Sequence, residues 1–206
     1  MRSILESAWL NDAEALVGDL ESTSSAEIVV VVAPSSGSYR DAQLWVPIFL
    51  TWLAIVALIL MPADITDLYL PPLALVAFLI GFALSRRPFF KYLLVRSERS
   101  HRQVVEAAVL AFHREHVSAT RERTGILIYL SREERDLEIV VDYRVDALIP
   151  QAVWNNVRAK ILADRANWSE RFLSEMKDVK GLLAEKLPRR DDDTDELSNR
   201  PRVMTA

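Results

Sequence analysis

The chain has 206 residues and no cysteine, which fits a reducing compartment and removes the thiolate ligands of most structural zinc sites. Between Leu44 and Ser85 there is no lysine, arginine or glutamate, and the only ionised side chains are Asp64 and Asp67. Met1 to Leu20 lacks a basic region followed by an apolar core and a small-residue cleavage site, so it does not read as a secretory signal. Neither a Gly-x-x-x-x-Gly-Lys phosphate loop nor the spacing of a dedicated metal loop occurs, and no internal repeat is found. The net charge is -4 and the basic residues gather next to the uncharged stretch, which argues against nucleic acid as a partner.

The uncharged stretch holds two apolar runs, Trp45 to Met61 and Leu68 to Leu84. At about 1.5 Å per residue each covers roughly 25 Å, near the lower limit for a hydrocarbon core of about 30 Å. Pro47, Pro71 and Pro72 fall where helix entrances are expected, and Trp45, Trp52, Tyr69 and Tyr92 suit headgroup-level aromatics. The pattern predicts a two-helix transmembrane hairpin with spans near 44–61 and 68–85. Arg86, Arg87, Lys91, Arg96, Arg99 and Arg102 follow the second run, and Pro62 to Asp67 has no basic residue. The positive-inside rule then puts both termini in the cytoplasm and the protein in the plasma (inner) membrane, with the lipid bilayer as its first partner. Thr51 is nearly the only polar side chain in the runs, which reads as an anchor rather than a transport path.

The flanks are patterned differently. Ile4 to Leu20 sets Leu5, Trp9, Ala13, Leu16, Val17 and Leu20 on one side of a helix. Ile28 to Val32 is a continuous β-branched run, as in a strand covered on both faces. Ser97 to Val117 has helical spacing, Ile126 to Leu130 reads as a second strand and Leu137 to Asp142 as a third. Val145 to Leu162 and Trp168 to Leu187 read as helices. The expected fold is a small layered α/β domain, a sheet flanked by helices, interrupted by the membrane hairpin. Its parts are 1–43 and 86–188, with the hairpin at 44–85 and a disordered charged tail at 189–206.

Glu27 at the start of one strand and Asp142 at the end of another are candidates to approach each other, with Asp146 a turn further on. Grouped carboxylates of this kind suit a divalent cation or shared acid–base work. The alternative is that Asp142 and Asp146 cap the following helix. Arg144 is a candidate phosphate clamp with Arg135 in support, or else a partner of nearby acids. His101, His113 and His116 lack a third ligand at a matching spacing and read as surface residues. Ser35, Ser36 and Ser38 around Gly37 read as a flexible link rather than a phosphate cradle.

The strings Ala26-Glu27-Ile28-Val29-Val30-Val31, Thr124-Gly125-Ile126-Leu127-Ile128-Tyr129, Arg135, Glu138-Ile139-Val140-Val141-Asp142 and Leu148-Ile149-Pro150 resemble, in order and spacing, the TPM domain family. The ending Leu187-Pro188, a short acidic run and Asp195-Glu196-Leu197-Ser198-Asn199 is similar to that of the family's bacterial membrane branch. The resemblance implies an α/β sandwich and, from some relatives, acid-phosphatase activity; other relatives are accessory proteins. The family's turn after the third strand carries two glycines, and this chain has Asp142-Tyr143-Arg144-Val145-Asp146 instead. A turn that depends on positive φ is not copied by those residues. The leading expectation is therefore a binding or accessory module acting on another membrane protein. The alternative is a metal-dependent hydrolase resembling the acid phosphatases, with Glu27, Asp142 and Asp146 on the cation or the proton and Arg144 on phosphate.

Overall fold

A computed structural model describes residues 7–37, 40–60, 66–86, 97–164, 166–190 and 196–204, without the side chains of 40–43, 66–69 and 97. The described residues divide into two compact units, one made of 1–36 with 101–206 and the other of 37–100.

In the larger unit, α1 (Ser7–Glu21) precedes β1 (Glu27–Ala33). The chain returns through α4 (Ser97–Arg114) and a 3-10 turn at Val117–Ala119 into β2 (Gly125–Ser131) and β3 (Asp136–Val141). Then come α5 (Tyr143–Leu148), α6 (Gln151–Leu162), α7 (Trp168–Lys186) and β4 (Arg202–Val203). The sheet has the order β3-β2-β1-β4. β1 lies parallel to β2 from Glu27 opposite Gly125 to Ala33 opposite Ser131, and β2 lies antiparallel to β3. Parallel neighbours need a crossover, and α4 supplies the helix between β1 and β2.

The alternation of side chains along the strands builds two cores. Ile28, Val30, Val32, Ile126, Ile128 and Leu130 face one core, closed by Trp9, Leu16 and Leu20 of α1, Trp154 and Ile161 of α6 and Phe172 and Met176 of α7. Val29, Val31, Leu127 and Tyr129 face the other, closed by Val104, Ala108, Ala111 and Phe112 of α4. All seven residues of β1 are buried, which is why its sequence is continuously apolar rather than alternating. Trp9 and Phe172 meet with ring centroids 5.6 Å apart, and Trp9 Nε1 donates to the Ser169 carbonyl at 2.8 Å. The indole thus buries its ring without stranding its N–H.

Three expectations need correction. The single helix expected over 145–162 is two, because Ile149 adopts φ -126°, ψ 105° ahead of Pro150, whose ring disfavours helical backbone in the residue before it. Within the tail expected to be unpacked, residues 196–204 run back to the sheet and supply β4, beside Val31 and Val32. The prolines expected at helix entrances lie inside their helices, since α2 (Arg40–Ile59) and α3 (Thr66–Ser85) begin well before Pro47 and Pro71.

The smaller unit carries α2 and α3, and here the membrane reading is overturned. Among the described residues no helix is long and apolar enough to cross a membrane. The transmembrane hairpin, the multi-pass plasma-membrane location with cytoplasmic termini, and the role as an integral membrane protein acting on another such protein are all withdrawn on this finding. The acidic connection at 61–65 and most of the basic cluster, at 87–96, lie outside the described residues.

The two helices nevertheless pack on one another. A Cβ built on Gly81 would stand 2.5 Å from the Cα of Pro47, so only glycine permits that approach. Thr51 Oγ1 donates to the Pro47 carbonyl at 2.7 Å, and the Arg86 guanidinium lies 4.5 Å above the Phe82 ring. Much else on the pair is exposed: Trp45, Ile48, Phe49 and Trp52 on α2, and Leu75, Leu79 and Ile80 on α3.

Candidate functional site

The residues nominated from the sequence lie at the end of the sheet where β1 and β2 begin. Glu27 is opposite Gly125, and the amide of Asp142 donates to the Gly125 carbonyl at 2.9 Å, so the two acids flank one residue. Gly125 is required there, since a Cβ on it would stand 2.2 Å from the Val117 carbonyl oxygen.

The two buried carboxylates are each engaged by donors of the surrounding fold. Asp142 is buried and caps α5, its Oδ1 accepting from the Tyr143 amide at 2.7 Å and pairing with Arg123 Nη2 at 2.9 Å. Loss of such a cap costs about 1 kcal/mol. Its Oδ2 is buried without a hydrogen-bond partner. Glu27 is buried as well, and its Oε2 accepts from the amides of Glu196 and Leu197 at 3.3 and 3.1 Å. Asp146 is exposed in the first turn of α5, and its amide donates to the Asp142 carbonyl at 3.0 Å. Arg144 pairs with Glu122, which also holds Arg190 at 3.0 Å, so the expected phosphate clamp is engaged by an acid.

Among the described residues no three of His, Cys, Asp and Glu converge as a metal-binding group. Glu27 is turned to backbone amides, and Asp142 to a helix end and an arginine. Arg135 occupies the β2–β3 turn with φ 49°, a left-handed conformation that costs a non-glycine residue about 1 kcal/mol.

The opposite end of the sheet gathers a polar group that sequence spacing did not indicate. Glu134 in the β2–β3 turn accepts from Ser35 Oγ at 2.9 Å, from the Ser36 amide at 3.2 Å and from Ser131 Oγ. Ser36 Oγ lies 2.7 Å from Ser131 Oγ and 3.5 Å from the Tyr129 hydroxyl. Burial raises the Tyr129 phenol above its ordinary value; its hydrogen bond with Ser36 opposes the rise and the charge of Glu134 adds to it. Ser35 and Ser36 are thus pinned by a carboxylate, not a loose link. Ser38 lies outside the described residues.

Beside this group, Asp136 stands opposite Ser131 and is buried. Its Oδ2 is 3.0 Å from His101 Nδ1, and its Oδ1 accepts from Arg158 Nη2 at 2.6 Å and from the Leu137 amide at 2.8 Å. Arg158 Nε also donates to the Leu137 carbonyl at 2.6 Å. Burial raises the Glu138 carboxyl above its ordinary value, while Arg158 and His101 pull it back and Asp136 adds to the rise. His101, expected as a surface histidine, therefore leans on a buried acid. The available signal was the pair Asp136 and Glu138, two positions apart on one strand and so on one face. The arginine that answers them comes from α6 and carried no such mark.

No protein-family model matches the sequence, and no curated protein matches it. Among solved structures the chain is similar to the NMR structure of the BA42 protein from the psychrophilic bacterium Bizionia argentinensis, at 16% identity and a TM-score of 0.60, covering 99% of this chain and 98% of that one. At that identity the likeness establishes the fold alone. Neither the fold nor these comparisons supports the acid-phosphatase expectation.

Proposed function

We propose that this chain is a non-catalytic interaction module, a TPM-like α/β domain that docks on a partner protein through the apolar surface of α2 and α3. The observation that carries the reading is the exposure of Trp45, Phe49 and Trp52, at 66%, 59% and 58%, along one side of α2. Phe49 and Trp52 stack with centroids 6.1 Å apart and offer a continuous aromatic surface. Apolar patches of more than a few hundred Å² rarely stay uncovered, and aromatic side chains dominate the energetics of protein interfaces. The state of the nominated acids and Arg144 agrees with a non-catalytic role, because each buried carboxylate already serves a helix end or a backbone segment.

The test is photo-crosslinking of the full chain in its native cells, with a photoreactive phenylalanine analogue replacing Phe49. The expected result is a crosslink to a discrete partner protein, lost in the Trp45→Gln, Trp52→Gln chain. Crosslinks to lipid alone, or to no protein, overturn the reading. The phosphatase alternative has its own measurement: hydrolysis of a phosphate monoester by the purified chain with and without divalent metal. No turnover above background is expected; metal-stimulated turnover that disappears in Asp142→Asn would refute a non-catalytic role.

A further inference from the structure

Residues 196–204 are held to the larger unit by contacts of four kinds. Glu196 and Leu197 give their amides to the buried Glu27 carboxylate, and the Glu196 carboxylate in turn accepts from the Arg121 amide at 3.0 Å. Leu197 and Met204 pack on the core beneath α4. Arg202 pairs with Glu115 near the end of α4. Finally, Arg202 and Val203 lie parallel to Val31 and Val32, and the Met204 amide donates to the Val32 carbonyl at 2.9 Å.

This segment is the edge strand of the sheet, yet it is paired over only two residues. Edge positions on a sheet are templates for strands from other chains, and backbone pairing there supplies affinity while flanking side chains supply specificity. The groove that holds the segment is specified in detail by what already fills it. It needs two consecutive amides for Glu27, apolar groups at the positions of Leu197 and Met204, and a guanidinium for Glu115. A second copy of this chain carries that pattern at the correct spacing.

We propose that the outer edge of β1 is a strand-docking site that accepts residues 196–204 of a second copy, so that two chains exchange their last strands. Every bond the segment makes within its own chain is available between chains, so exchange changes the tether and not the contacts. Exchange is favoured by high protein concentration and by anything that loosens the segment from its own chain.

The chain has no cysteine, so a disulfide can report the pairing without background. Val32 and Val203 are direct partners across the strands. Full-length Val32→Cys and Val203→Cys chains, mixed and oxidised, are expected to yield a heterodimer whose linked peptides contain residues 32 and 203. If the doubly substituted chain closes on itself while the mixed single variants give no such link, exchange does not occur.

Val32 is fully buried, so a second measurement avoids substituting it. A fluorescent peptide of residues 196–204 is titrated against the full-length wild type and against full-length Arg202→Glu, which sets a like charge on Glu115. At least tenfold tighter binding to Arg202→Glu is expected, because its own segment competes less. Equal or weaker binding to a folded Arg202→Glu chain overturns the proposal.

Discussion

Arg158 Nη2 lies 2.6 Å from Asp136 Oδ1, while Nε of the same guanidinium donates to the Leu137 carbonyl at 2.6 Å. One side chain from α6 thus satisfies both a buried acid and a backbone acceptor of β3, which stands at one end of the strand order. A charged group on an edge strand also discourages a foreign strand from pairing there.

Removing that guanidinium leaves Asp136 buried with its Oδ1 short of a charged donor. Arg158 is itself one-quarter exposed, so solvent recovers part of the loss. Arg158→Gln is expected to lower unfolding free energy by about 2 kcal/mol, measured by urea denaturation. In a double-mutant cycle with Asp136→Asn the pair should cost clearly less than the sum of the single changes. Additive losses would mean that the two residues do not act as a pair.

The Glu138 carboxyl is raised above its ordinary value, first by burial. The folded chain then keeps this proton to higher pH than the unfolded chain, so the group lowers stability as pH rises from the ordinary glutamate value of 4.5 through the raised one. Glu138→Gln removes that titration. Its melting temperature plotted against pH should fall less steeply than the wild type's across the mildly acidic range. An unchanged slope would show that Glu138 titrates as it does in the unfolded chain.

Two glycines should respond in opposite directions. Gly125→Ala forces a Cβ against the Val117 carbonyl, where backbone rather than a flexible side chain must move, and is expected to destabilise by about 1–3 kcal/mol. Gly181→Ala on α7 meets nothing within 4 Å and should stabilise by about 0.5–1 kcal/mol through helix propensity. Thermal melts of the two variants check both signs, and a Gly125→Ala chain as stable as wild type would remove the packing argument at the start of β2.

Much of the larger unit was readable because its signals are local. The valine run of β1, the apolar stripe of α1 and the Ile126 to Leu130 segment declare their partners' faces by periodicity, and the structure places them at those positions. The break at Pro150 was missed, because the helical spacing of Val145 to Leu162 was read through a proline that constrains the residue before it.

The site was less legible. Glu27 and Asp142 do come to the same end of the sheet, flanking Gly125, as the ends of their strands suggested. What engages them is decided by distant chain: Arg123 reaches Asp142 from the loop before β2, and the amides on Glu27 come from residues 169 and 170 positions away. A carboxylate's role depends on which donors surround it, and spacing along the chain does not count donors brought in by tertiary folding.

By itself, then, the sequence determined the mixed α/β class, the first three strands and most helices, because burial of one face or both writes a period into neighbouring residues. Only the tertiary structure decided that residues 196–204 return to the edge of β1, that Arg158 closes on Asp136, and that no described helix is long and apolar enough to cross a membrane. The first two are pairings between segments far apart in the chain, and their energy lies in a geometry that no local pattern encodes.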